Sequence, residues 1–116
     1  MHSPTIRLSI LLFCLSALNT QADTPSDCRT LATLKHYAKV IEHCYPPAKS
    51  GDLQAAFYLG EAYEYIQTSQ RNGTRAAKWY MKAAEQGHLL AQRNLAALYD
   101  SGFGVPKNSW LSFRWY

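Results

Sequence analysis

Few residues of this chain have the type and spacing that chemistry needs. His36, His43 and Cys44, with His88 far away, are the nearest approach to a metal-ligand set. Two histidines seven apart share a helix face but stand two turns apart, and no short-spaced pair completes a four-donor site. No metal or cofactor is therefore expected. Glu61 and Glu64 could form an acid–base pair, yet a three-residue spacing is equally that of a solvated helix face. The serines offer neither Ser-x-x-Lys nor Gly-x-Ser-x-Gly, so a nucleophile with its base is missing. Gly102 and Gly104 make a Gly-x-Gly, but no Gly-Lys-Ser/Thr follows and no strand precedes it, so a phosphate loop is not indicated. These residues predict a non-enzyme.

The elements that would position any site begin after a leader. Arg7 precedes an apolar run of eleven, Leu8 to Leu18, and the small residues Thr20 and Ala22 suit cleavage before Asp23. This is the layout of a signal peptide, 1–22, and the run is shorter than the ~20 residues of a membrane helix. A short uncleaved anchor is the alternative. Cys14 lies inside the run behind a bulky Phe13, which argues against lipoprotein processing. The expected product, 23–116, has 94 residues, is periplasmic or secreted, and does not stay inserted in a membrane after cleavage. Removing Arg7 takes the formal charge from +4 to +3. With no basic run, and with export, nucleic acid is excluded as a partner.

Cys28 and Cys44 remain after cleavage, and an even pair in an oxidising compartment favours a disulfide. On one straight helix they would lie about 24 Å apart at ~1.5 Å per residue, whereas a bridge needs Cα atoms within roughly 7 Å. Either the segment folds back near Lys35–His36 or the thiols stay apart.

The rest of the chain repeats itself. At an offset of 36, Gly51 matches Gly87, Ala55 Ala91, Leu59 Leu95, Tyr63 Tyr99, Asn72 Asn108, Trp79 Trp115 and Tyr80 Tyr116. A period in the thirties marks a helical solenoid. Ala55, Leu59 and Tyr63 form one apolar helical face, behind a helix that Asp52 can cap. A second helix, from about Thr74 to Gln86, buries Ala76, Tyr80 and Ala83 and turns Lys78, Lys82 and Glu85 to solvent. Gly87 ends it, and His88 to Ser101 repeats the first helix. Upstream, Leu31, Leu34, Ala38 and Ile41 predict a helical face whose last turn Pro46–Pro47 disturb. The expected fold is all-α: a short α-solenoid of helix pairs. A degenerate leading segment at 23–50 precedes units at 51–86 and 87–116, the second cut short in its second helix.

"LGEAYEY…AAKWYMKAAEQGH" and "AQRNLAALYDSGFGVPKNSWLSFRWY" resemble the Sel-one-like repeat, a relative of the tetratricopeptide repeat, over Gly51 to Tyr116. The first unit's turn, "YIQTSQRNG", lacks the Gly-x-Gly-Val element and should be irregular, and Ala96 stands where the family often has Gly. The resemblance implies a protein-binding groove on the first helix of each pair. That side would show Tyr58, Glu61, Ala62 and Tyr65, then Arg93, Asn94, Ala97, Leu98 and Ser101. Tyr58 and Tyr65 serve equally as contact residues or as packing between helices. Secreted, cysteine-rich members of the family have been assigned β-lactamase-like activity, but the repeated cysteine pairs are absent from both units here. Small exported members include immunity proteins that neutralise antibacterial effectors and adaptors of envelope assemblies. By that resemblance the first expectation is immunity or inhibition, the second an adaptor, the third a hydrolase.

At the far end, Trp110 and Phe113 lie on a helix too short to be stable alone, while Trp115 and Tyr116 are expected to pack on the preceding pair as Trp79 and Tyr80 do. Trp110 and Phe113 are candidates for partner binding or self-association, unless the chain is a piece of a longer repeat protein that covers them.

Overall fold

A computed structural model describes residues 27–116. The expected leader at 1–22, with cleavage before Asp23, lies outside the described residues. Among these, six helices follow one another without a strand: α1 Cys28–Thr33, α2 Tyr37–Lys49, α3 Leu53–Tyr65, α4 Gly73–Ala84, α5 Leu89–Ser101 and α6 Ser109–Trp115. Each of the later helices packs on its neighbour in sequence, and α3 also touches α1 and α5. The architecture is an all-α solenoid of helix pairs.

The leading segment folds back. Asp27 caps α1 by accepting from the Arg29 N–H, and α1 stops at Thr33. Lys35 then adopts φ 58°, a left-handed conformation unusual for a residue with a side chain. The reversal at 34–36 brings Cys28 and Cys44 together, bridged, with Cα atoms 5.2 Å apart. It also splits the apolar face predicted from Leu31 through Ile41. Leu31 is buried, but Leu34 and Ala38 are exposed, and the buried stripe of α2 is Val40, Cys44 and Ala48. Pro46 and Pro47 do not disturb the last turn as expected: α2 runs through both to Lys49. Their missing N–H groups would have bonded the carbonyls of Glu42 and His43, which sit on the exposed side of the helix. Their own carbonyls still accept, from Ser50 and Asp52.

The repeat units are built alike. Asp52, Asn72, His88 and Asn108 cap α3 to α6, each side chain accepting the N–H three residues on. Asn72 N–H donates to the Tyr63 carbonyl at 2.9 Å, and Asn108 N–H to the Tyr99 carbonyl at 2.9 Å, the same bond one period later. Helix α3 is the centre of the molecule, with Ala55, Ala56, Phe57, Leu59, Gly60, Ala62 and Tyr63 all buried. On α4, Ala76, Tyr80 and Ala83 are fully buried. Helix α4 closes at Ala84, slightly short of the expected end, because Glu85–Gly87 turn tightly and the His88 N–H returns to the Ala83 carbonyl.

Two close approaches explain residues of the repeat. A methyl at Gly60 would run into the ring of Tyr80 at Cδ1 and Cε1. One period later the pair is Ala96, fully buried, and Tyr116, 72% exposed. Tyr116 thus departs from the packing expected of it, in keeping with a methyl at 96 occupying the room that Gly60 leaves open. Gly104, at φ 75°, lies against the backbone of Gly73, and its carbonyl accepts from the Thr74 hydroxyl at 2.9 Å. The Gly-x-Gly turn of the second unit therefore docks on the start of α4.

Candidate protein-binding face

Helices α3 and α5 are the first helices of their pairs, and the side they share carries the half-exposed polar residues. Along α3 the stripe Gln54, Tyr58, Glu61 and Tyr65 recurs at three- and four-residue steps, one face of a helix. At its C-terminal end Glu61 and Glu64 are half-buried. Tyr80 reaches across from α4, and its hydroxyl donates to Glu64 Oε2 at 2.6 Å. Tyr37 closes the opposite side, its ring centroid 6.4 Å from that of Tyr65.

Electrostatics here follow burial. Desolvation raises the Glu64 pKa above the usual carboxylate range, against hydrogen bonds from Tyr80 and Tyr65 and the nearby Arg71 guanidinium. Glu61 is raised by burial and then by Glu64, with Lys35 opposing. The Tyr80 hydroxyl is raised by burial and by the Glu64 charge, while the Asn94 side chain acts the other way. The result is a pair of carboxylates held beside phenols in a partly dry site. Such a pair accepts hydrogen bonds from a cationic or amide-rich group, and it costs least when that group arrives to compensate the charge.

The structure brings Glu61, Tyr65 and Asn94 into this one cluster. Tyr58 stands apart, half-buried near α1, over a depression of about 370 Å³ bordered by Arg29, His43 and Gln54. Arg93 is exposed on α5. Ala62 and Leu98, expected on this face, are buried instead, in the packing of α3 and α5 against their neighbours. Tyr37 joined the cluster without having been singled out, Glu64 had been considered only as an acid–base partner of Glu61, and Tyr80 only as a core residue. For Tyr80 the signal was available: a buried tyrosine hydroxyl needs a partner, and Glu64 was a candidate acceptor. At the far end Trp110 and Phe113 are 65% and 81% exposed. Trp115 is half-buried against the core.

Among the described residues no three of His, Cys, Asp and Glu are placed to hold a metal ion. His36 and His43 are exposed, Cys44 is in the bridge, and His88 is the cap of α5. No helix of the described residues is long and apolar enough to cross a membrane.

Comparison with known proteins identifies the repeat. The Sel1 repeat pattern matches residues 53–88 and again 89–116. The chain belongs to the Sel1 repeat family. A Sel1 repeat protein of Oxalobacter formigenes superposes with a TM-score of 0.68 at 32% identity, over 77% of this chain and 37% of that one. Similar relatives include the ERAD-associated E3 ubiquitin-protein ligase component HRD3A of Arabidopsis thaliana, 35% identical over 69 residues. The DAP3-binding cell death enhancer 1 of Rattus norvegicus is 37% identical over 70 residues. Each aligns with 60% of this chain, which spans only 10% and 14% of their lengths.

Proposed function

We propose that the chain is a non-catalytic, exported protein-binding module of the periplasm, and that it takes its partner on the side formed by α3 and α5. The observation that carries this reading is the half-buried Glu61–Glu64 pair, held by Tyr80 and flanked by Tyr37, Tyr65 and Asn94. Its carboxylates suit a docked lysine, arginine or amide donor. Tyr58 and Arg93 extend the face on either side, and both residue types concentrate binding energy at interfaces.

Two roles fit such a module. As an immunity or inhibitor protein it would cover a secreted antibacterial effector; the expected leader supports this. As an adaptor it would join an envelope assembly. The names of the similar relatives, a ligase component and a DAP3-binding protein, favour the adaptor by analogy. The test is titration calorimetry of the mature chain with the products of the genes beside its own. Binding to an effector supports immunity, and binding to an envelope-assembly protein supports the adaptor. Glu61→Gln with Tyr65→Ala should weaken either by tenfold or more while the helical CD spectrum is kept. Full affinity in the double variant refutes this face as the site.

A further inference from the structure

The helices α2 and α4 leave a groove of about 420 Å³ that also takes in Tyr63 of α3. Its lining holds four cations, Lys49, Arg75, Lys78 and Lys82, and no carboxylate. We propose that this groove is a second binding site, for an acidic peptide segment of a partner protein.

Three of the four cations are braced on aromatic rings, and Lys78 stands exposed between them. Lys82 Nζ lies 4.8 Å from the centroid of the Trp79 ring, the Arg75 guanidinium 5.7 Å from that of Tyr63, and Lys49 Nζ 5.9 Å from that of Tyr45. Tyr45 and Trp79 meet edge to face at 5.9 Å and tie the two walls together. Charges braced on aromatic faces have less side-chain freedom to lose when a ligand arrives.

The pattern also works against the stability of its own helix. Arg75, Lys78 and Lys82 follow one another at three- and four-residue steps, where like charges repel. Arg75 lies in the first turn of α4, where the helix dipole disfavours a cation, whereas Lys82 lies in the last turn, where it favours one. Glu85, three residues past Lys82, lies beyond the groove lining. A solvated face chosen only for solubility would intersperse acids along this stripe. The three cations span about 10 Å at ~1.5 Å per residue, the reach of about three residues of extended chain.

Other acidic partners fit less well. Single-stranded nucleic acid needs open ring faces for its bases, but Trp79 and Tyr63 are buried and their outer faces already carry Lys82 and Arg75. A lipid surface is flat, and Tyr63 and Lys49 lie down in a groove. A second copy would offer its exposed acids, Asp27, Glu42, Asp52, Glu85 and Asp100, one at a time from different elements and not as an acidic segment.

Fluorescence anisotropy with the full chain decides the matter. The probes are a labelled Glu/Asp-rich decapeptide, its Gln/Asn counterpart, a charge-matched oligothymidine and vesicles containing phosphatidylserine. The acidic peptide should bind saturably, weaken with added salt, and outbind the other three at least tenfold. Lys78→Glu with Lys82→Glu should abolish that binding, while Glu61→Gln with Tyr65→Ala leaves it unchanged. No saturation by the peptide, tighter binding of the oligonucleotide or the vesicles, or indifference to the charge reversal overturns the proposal. A salt-sensitive dimer in sedimentation equilibrium that the same reversal dissolves would assign the groove to a second copy, and overturn it equally.

Discussion

Gly60→Ala should destabilise the protein although alanine is the better helix former. Gly60 lies inside α3, where the exchange alone would gain about 1 kcal/mol. The added methyl, however, would land on Tyr80, whose ring is fully buried and is approached at its root as well as along its edge. Overpacking of this kind costs roughly 1–3 kcal/mol. Displacing the ring also withdraws the hydroxyl from Glu64, now 2.6 Å away. A hydrogen bond to a charged group is worth about 1.5–3 kcal/mol, and the lower end applies to a half-buried carboxylate. The net expectation is a loss of about 2–3 kcal/mol, taking these ranges together. Urea denaturation followed by far-UV CD measures it, and a second background isolates the cause. In Tyr80→Leu, Gly60→Ala should be neutral or stabilising, because the clash and the hydrogen bond are both gone. Equal costs in the two backgrounds, or stabilisation in the wild type, would refute the packing argument.

Three further outcomes are expected. The oxidised chain without its expected leader should show no free thiol under denaturing, non-reducing conditions, and reduction should lower its stability by about 3 kcal/mol, the chain-entropy value for a loop of ~15 residues. Ala83→Leu should cost about 1–3 kcal/mol by overpacking between helices, and Lys82→Leu, exposed beside it, should stay within about 0.5 kcal/mol. His88 accepts the Ala91 N–H through Nδ1, and burial lowers its pKa from the ordinary histidine value of 6.5. The neutral ring is therefore the folded form, and stability should fall as pH drops from 6.5 through the lowered value. Glu61 and Glu64, with raised values, act in the opposite sense, favouring the fold as they protonate. His88→Asn keeps a capping oxygen and should remove the loss on acidification in pH-dependent urea melts; an unchanged profile would assign the pH response elsewhere.

The repeat was legible because its 36-residue period falls on residues with fixed structural duties. Asn72 and Asn108 cap corresponding helices, and Leu59 and Leu95 fill corresponding core positions. The leading segment was harder, since periodicity cannot show a reversal: Leu34 fits the pattern of Leu31, but Lys35 turns the chain between α1 and α2. Pro46–Pro47 misled for a related reason. The penalty for proline depends on which carbonyls lose a partner, and here these face solvent. The candidate site was partly legible. Glu61 and Tyr65 stood on one face by spacing, but the link from Tyr80 to Glu64 joins different helices and belongs to tertiary packing.

The central claim is that a protein partner docks on the side of α3 and α5. Photo-crosslinking in the host tests it most directly, with p-benzoylphenylalanine placed singly at Tyr65, at Tyr58, and at Lys39 on the exposed side of α2. The account predicts a discrete adduct with one and the same protein from Tyr65 and Tyr58, and none from Lys39. Adducts of equal yield from all three positions, or from Lys39 alone, would contradict it.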